Sequence, residues 1–556
     1  MLRRLMLAIL ALLLTTPAFA NGGVVSAADP RAAEAGREIL RAGGSATDAA
    51  IAMMLALNVV EPQSSGIGGG GFLIHAGPGG ASTTIDGRET APASARPDRF
   101  LTPDGKKMAF MDAVPGGISI GIPGNIRLAE LAHKRWGRLP WKRLFAPAIR
   151  LAAQGYQISP ALSDRLQLTA KVMAGFPAAR ALYFDKEGKP LPAGTVLRNP
   201  ALAKAFQTIA ARGAAGFYSG PVAAGITAAV ASAPRHPAKL DAADLAGYKA
   251  EERSPVCGAY RGYRICSMGP PSSGGIAILQ MLGLLERFDL TKLGPEDPRS
   301  WHLIAEAMRL AYADRNTYLG DPGFVPVPVK GLLDANYIAG RSALIRIDAT
   351  IPHAGPGNPP GAENWSYAKS GEVPSTTNFA AVDGRGEAIS WTSTVESSFG
   401  SFVMANGFFL NNELTDFSFL ADAAGKPIAN RLEPGKRPMS AMSPTLVYGP
   451  DGKLMMALGS AGGPRIIMHV LKTLIGVIDW KKPIGEAIAL PNIFLSGDAI
   501  LLEDDTPLAA MAPVLAKLGQ TVSTAKLSSK VNGVERDATG WHGGADPRSE
   551  GVALAE

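Results

Sequence analysis

Apolar and polar positions change rhythm along the chain, from mostly helical spacing in its first part to short strand-like runs after about residue 376. Asp29-Pro30 sets a capping carboxylate before a proline suited to a first helical turn, and Gly43-Gly44 ends that helix. A second helix is expected from Thr47 to Val59, apolar on most faces and therefore buried. The run Ser64-Ser65-Gly66-Ile67-Gly68-Gly69-Gly70-Gly71 leads into a strand over Phe72 to His75. From Leu139 to Leu310 the pattern is mainly helical, as in Trp141 to Ala153, Ala201 to Ala211 and Trp301 to Tyr312. The texture changes from Pro322, and residues 350 to 375, rich in Pro, Gly, Ser and Asn, read as an exposed loop. Strand-like runs follow at Phe379 to Val382, Ala388 to Val395 and Phe408 to Leu410. Pro444 to Tyr448 and Leu454 to Leu458 face each other across Gly449-Pro450-Asp451-Gly452, and a helix follows from Pro464 to Ile478. Sheets with helices on their outer faces make a layered α/β or α+β architecture. No internal repeat is present.

The first twenty residues stand apart from this pattern. Arg3 and Arg4 precede an apolar run from Leu5 to Leu14, and Ala18-Phe19-Ala20 offers a small-x-small cleavage site. The run is shorter than the roughly 20 residues a bilayer span needs, so it reads as a cleaved export signal rather than an anchor. Residue 21 is Asn, which gives no lipoprotein signal. No later segment is long and apolar enough to span, so the exported protein is expected to be soluble, periplasmic or secreted. Losing Arg3 and Arg4 takes the formal charge from +7 to +5. That surplus, with no Lys/Arg block interleaved with aromatics, gives no nucleic-acid signature. Only two cysteines occur, Cys257 and Cys266, flanking a hairpin that turns at Arg261-Gly262. That register sets them opposite each other; a disulfide and two half-buried thiols both remain open.

Three motifs fail in context. Gly66-Ile-Gly68-Gly-Gly-Gly71 satisfies the dinucleotide fingerprint in spacing, but the order here is helix, glycines, strand, the reverse of what that fold requires, so close backbone packing is expected instead. Gly117-Ile-Ser119-Ile-Gly121 has the nucleophile-elbow spacing, with Met108 to Val114 as a conceivable preceding strand. Pro123-Gly124 blocks the helix that must follow. His302 and Glu306 sit one helical turn apart without a second His, so neither metal nor cofactor is expected.

A set of hydroxyl- and glycine-rich motifs carries the chemistry. They are Ser375-Thr376-Thr377-Asn378-Phe379, Thr392-Ser393-Thr394, Asn411-Asn412-Glu413-Leu414-Thr415-Asp416, Lys436-Arg437-Pro438-Met439-Ser440-Ala441-Met442-Ser443-Pro444-Thr445 and Gly459-Ser460-Ala461-Gly462-Gly463. With Asp86-Gly87-Arg88-Glu89-Thr90-Ala91-Pro92, Pro270-Pro271-Ser272-Ser273-Gly274-Gly275 and Ala545-Asp546-Pro547-Arg548, this order resembles the gamma-glutamyltransferases over nearly the whole mature chain. The resemblance implies an α+β, four-layer αββα N-terminal-nucleophile hydrolase fold. It implies self-cleavage before Thr376 into a large subunit, residues 21–375, and a small one, 376–556, which stay together as one folded unit.

A Thr hydroxyl without a neighbouring base is a poor nucleophile, and cleavage before it supplies an α-amine that serves as base. Such an amine has an ordinary pKa of about 7.7–8.0, near working pH. The resemblance assigns Thr376 as nucleophile, Thr394 as its hydrogen-bond partner and Gly462 and Gly463 as oxyanion hole. It assigns Arg88 and Ser440 to a substrate α-carboxylate and Glu413 and Asp416 to its ammonium. Implied substrates are glutathione or other gamma-glutamyl compounds, with water, an amino acid or a peptide as acceptor. This chain departs from the family pattern in having Glu396 for an Asn, Ala441 for a second Ser, and a short segment between Asp416 and Lys436 with Phe417 and Phe419 but no Tyr or Trp. Three carboxylates near one ammonium disfavour joint ionisation, so one is expected to be protonated or paired elsewhere. Altered specificity is expected, including slow glutathione hydrolysis. The competing readings are an acylase for glutaryl-type or other amide side chains, and an amino-acid-binding protein that kept the fold without turnover.

Overall fold

The structure is a computed structural model describing residues 22–368 and 375–556; the expected export signal lies outside them. Its centre is two antiparallel sheets packed face to face. The first has seven strands in the order Val552–Ala555, Val24–Ala27, Thr377–Val382, Ala388–Thr394, Gly70–Ala76, Ser82–Gly87 and Glu251–Arg253. The second has six, in the order Gly540–Ala545, Asn532–Asp537, Leu454–Gly459, Thr445–Tyr448, Tyr263–Ser267 and Val256–Tyr260.

Side-chain alternation builds the four layers. Along Thr377–Val382, Phe379 and Ala381 face the helical layer over the first sheet, with Ile51, Leu55 and Trp391 in the same core. Ala380 and Val382 point the other way, against Leu446, Ala457 and Val534 of the second sheet. Met456 and Leu458 turn outward to helices Gly274–Leu285, Pro298–Tyr318 and Ile466–Ile478. Burial on both faces makes the central strands read as short, continuous apolar runs. The result is the αββα sandwich expected.

Helix Pro30–Arg41 begins at Asp29, whose side chain accepts from Arg31 N, and helix Ala46–Val60 is buried at every residue. The Trp141 to Ala153 stretch is two helices, Trp141–Leu144 and Ala146–Gln154; Pro147 starts the second because its ring cannot continue the first. Met108 to Val114 is not a strand: Phe110–Ala113 forms one helical turn. Phe408–Phe409 pairs only with Met404–Ala405, outside both main sheets. The helix expected from Pro464 opens as a 3-10 turn, Gly463–Arg465, before Ile466–Ile478. Cys257 and Cys266 stand opposite each other as expected and are joined by a disulfide.

The 375–376 bond separates segments that share both sheets. Val24–Ala27 lies between Val552–Ala555 and Thr377–Val382, and Thr445–Tyr448 pairs with Tyr263–Ser267. Fragments cut at that bond are therefore expected to co-elute in gel filtration without denaturant and to separate only in urea or guanidinium. Separation in native buffer would contradict the interleaved sheets.

Candidate active site

Strands Thr377–Val382 and Ala388–Thr394 run antiparallel with Thr377 opposite Ser393, which brings Thr376 and Thr394 together at the strand ends. Their hydroxyl oxygens are 3.0 Å apart, and Thr394 Oγ1 accepts the Glu396 N–H at 2.8 Å. The glycine run packs against this corner: a Cβ on Gly69 would stand 1.9 Å from the Thr394 carbonyl oxygen. The run is therefore a close backbone contact, as its context predicted. Thr376 is buried and has φ of 81°. That region is strained for a β-branched residue, because Cβ crowds the preceding carbonyl. Breaking the 375–376 bond removes that carbonyl and with it the crowding.

The loop after Leu454–Gly459 brings Gly462 and Gly463 to the same place. Gly462 has φ of 134°, open to glycine, and among the described residues neither glycine N–H donates to a protein acceptor. Behind the loop, buried His469 Nδ1 is 3.0 Å from Ser460 Oγ and 3.2 Å from the Ala461 carbonyl. Burial, helped by nearby Lys472, pushes His469 down to about 3, so its ring is neutral.

Arg88, Thr376, Thr394, Glu396, Glu413, Asp416, Ser440, Ala441 and Gly463 line one small cavity of about 20 Å³. The predicted site residues thus converge, with Gly462 bordering an adjoining well that also contains Ser375. A space of that size holds little more than one water.

The charges in this cavity depart from expectation. Arg88 already has partners within the protein. It is fully buried, ion-paired to Glu413 and, at 2.5 Å, to Asp416 Oδ2, and donates to the carbonyls of Pro438 and Met439. Glu413, Asp416 and Glu89 outweigh the cost of burial and hold Arg88 firmly charged. Glu396 accepts from Ser397 Oγ at 2.5 Å and Asn412 Nδ2 at 2.7 Å, which is the pairing elsewhere that three crowded acids require. Glu413 is pushed up by burial and by Asp416 and Glu396, against the pull of Arg88.

Glu89 belongs to the cluster and was missed from sequence, because only the fold brings it beside Glu413. It is fully buried, neither oxygen has a hydrogen-bond partner among the described residues, and Arg88 Nη1 is 3.9 Å away. Burial, then Glu413, push its pKa well above the ordinary 4.5. An acid raised in the folded state lends stability that is full below its unfolded pKa and lost as pH rises through the folded value. Glu89→Gln, a neutral isostere, is therefore expected to melt like wild type near pH 4 and increasingly above it as pH rises. A difference in melting temperature that shrinks toward high pH would contradict a protonated Glu89.

The discarded motifs are structural. Ser119 Oγ donates to the carbonyls of Val114 and Gly116. His302 contacts the Arg346 carbonyl and Gln520, while Glu306 accepts from Arg309, Gln520 and Ile351 N. Among the described residues no group of His, Cys, Asp and Glu could hold a metal, and no helix is long and apolar enough to cross a membrane.

The gamma-glutamyltranspeptidase family profile matches residues 32–556. A glutathione hydrolase proenzyme of Bacillus subtilis (strain 168) is 38% identical over 515 residues, 89% of this chain and 84% of that protein. The chain belongs to the gamma-glutamyltranspeptidase family. Within the family it also resembles acylases. The acylase ACY 1 proenzyme of Pseudomonas sp. (strain SE83) is 33% identical, covering 97% of this chain and 94% of that one. The crystal structure of cephalosporin acylase from Bacillus halodurans superposes with a TM-score of 0.85 at 27% identity, covering 97% of this chain and 96% of that one. This gamma-glutamyltranspeptidase family member therefore has relatives of both names, and the acid-rich cavity is where substrate choice is to be sought.

Proposed function

We propose that this protein is an exported, self-cleaving amidohydrolase and acyltransferase that acts on gamma-glutamyl amides through an ester on Thr376. The observation that carries this reading is the 3.0 Å contact between the Thr376 and Thr394 hydroxyls, at the mouth of a cavity holding Arg88 and three acids. In the first step Thr376 Oγ attacks the Ser375 carbonyl carbon, the C–N bond breaks and its nitrogen takes the proton. Water then hydrolyses the ester, which releases the Ser375 carboxylate and frees the Thr376 Oγ beside its own α-amine. In turnover that amine takes the Oγ proton as Oγ attacks the substrate carbonyl, and passes it to the leaving amine. The N–H groups of Gly462 and Gly463 receive the oxyanion; one such donor is worth about 3–4 kcal/mol. The Cys257–Cys266 disulfide supports an oxidising, extracytoplasmic location.

A gamma-glutamyl group ends in an ammonium and a carboxylate. These two charges can replace the internal pairs of Arg88, the carboxylate meeting the guanidinium fork beside Ser440 and the ammonium meeting Glu413 and Asp416. Glu396 adds negative charge next to the same ammonium. The acylase reading draws on Ala441, which leaves the carboxylate side one hydroxyl short, and on the near-full-length acylase relative. A glutaryl group keeps that carboxylate but has no ammonium, which would leave Glu413 and Asp416 without an incoming cation once the carboxylate takes up Arg88. We therefore expect gamma-glutamyl-p-nitroanilide to be cleaved at least about tenfold faster, in kcat/KM, than glutaryl-p-nitroanilide, the size of a modest charge mismatch. Equal or faster glutaryl turnover would favour the acylase reading.

A further inference from the structure

Each N–H of Gly462 and Gly463 belongs to a peptide unit whose carbonyl is held within the protein. The 462–463 unit has its carbonyl on Gly462, which accepts from Arg465 N at 3.3 Å inside the 3-10 turn. The 461–462 unit has its carbonyl on Ala461, which accepts from Ser460 Oγ at 3.2 Å and lies 3.2 Å from His469 Nδ1. Neither peptide bond is cis. In a trans unit the C=O and N–H point in opposite directions, so a contact that fixes the carbonyl also aims the N–H.

The Gly462 contact is local backbone, whereas the Ala461 contact depends on a side chain from the following helix. His469 is buried in the first turns of Ile466–Ile478. Its ring lies directly against the loop, since a Cβ on Gly462 would stand 3.0 Å from His469 Cε1 and 3.6 Å from Nδ1. A carbonyl oxygen only accepts, so the nitrogen facing Ala461 carries the proton. The Nδ1–H then points between the Ala461 carbonyl and Ser460 Oγ, 3.0 Å away, while the Ser460 O–H donates to the same carbonyl. The other tautomer would set two lone pairs against each other. Burial, helped by Lys472, keeps the ring neutral through the range where an ordinary imidazole titrates. Two donors on one carbonyl also polarise its peptide unit and strengthen the N–H on the far side as a donor.

We propose that His469 is a positioning residue for the oxyanion: its Nδ1–H, with the Ser460 hydroxyl, pins the Ala461 carbonyl and so aims the Gly462 N–H at the oxygen that becomes charged when Thr376 Oγ attacks. His469 itself transfers no proton and touches no substrate. The inference rests on the Thr376 acyl-transfer reading above but not on the identity of the acyl group, because an oxyanion forms whichever amide is cleaved.

Processed wild type is to be compared with His469→Leu, His469→Asn and Ser460→Ala on the anilide that wild type cleaves fastest. Rates are taken per cleaved chain, and folding is checked by melting curves. His469→Leu is expected to lower kcat and kcat/KM together by about 10- to 100-fold with KM within about twofold, short of the loss from deleting an oxyanion donor outright. His469→Asn sets its Nδ2 where Nδ1 stands and should keep kcat within about threefold, although it has no imidazole to carry a proton. Ser460→Ala removes one of the two donors and should lower kcat a few-fold at unchanged KM; it carries the test if His469→Leu does not fold. Equal losses in His469→Asn and His469→Leu, a raised KM at unchanged kcat, or unchanged kcat in Ser460→Ala or His469→Leu would overturn the proposal. Wild type without turnover of any amide would overturn the acyl-transfer reading and this inference with it, a failure seen before any variant is compared.

Discussion

Thr376→Ala is expected to remain a single uncleaved polypeptide and to lose amide turnover by roughly 10³-fold or more, the scale of removing a nucleophile. The substitution removes the hydroxyl 3.0 Å from Thr394 that would attack both the Ser375 carbonyl and the substrate. It sits at the end of a strand whose own pairing begins at Thr377, so the sheet should be unaffected. Thr376→Ser makes a graded companion. It keeps a hydroxyl but loses the methyl, and with it the χ1 restriction and part of the crowding at φ of 81°. Its cleavage is expected to proceed more slowly than wild type, and to completion. Denaturing electrophoresis over time and an anilide assay read both effects. A cleaved Thr376→Ala chain would place the nucleophile elsewhere.

The largest effect on stability is expected at Arg88. Arg88→Met removes the cation from a fully buried group containing Glu413, Asp416 and Glu89. Breaking a buried pair from one side costs about 3–5 kcal/mol, because a carboxylate is left without compensation. The loss should be greatest at alkaline pH, where the remaining acids must take up protons to stay buried, and smallest near pH 4. Urea melts at pH 5 and pH 8 measure this difference. Adding Glu413→Gln and Asp416→Asn to Arg88→Met should recover part of the stability while leaving the acyl cavity without Arg88 and the two acids paired to it, hence folded and inactive. A mild, pH-independent loss in Arg88→Met would mean that the acids are not ionised against it.

Much of this site was legible in the sequence because it lies in short motifs at element ends. Thr376 precedes one strand, Thr394 ends its neighbour, and Gly462-Gly463 lie between a third strand and a helix; the order of these motifs carried the family resemblance, and the resemblance assigned the residues. The strands were legible as apolar runs because they are buried on two faces. What escaped depends on contacts between distant segments. Glu61 meets Lys530 across 469 positions, and Arg88 meets Glu413 across 325, so neither pairing leaves a local trace. The resemblance gave Arg88 a substrate carboxylate as partner, and sequence shows a residue's chemistry without showing which groups of the protein already pair with it. The break between Trp141–Leu144 and Ala146–Gln154 carried a visible signal in Pro147, which the surrounding helical periodicity masked.

Mass spectrometry and N-terminal sequencing of the purified, active protein bear most directly on the central claim. The account predicts two co-purifying polypeptides, the smaller beginning at Thr376, with anilide turnover appearing in step with cleavage. An unbroken chain with full activity, or a small fragment beginning at any other residue, would contradict it.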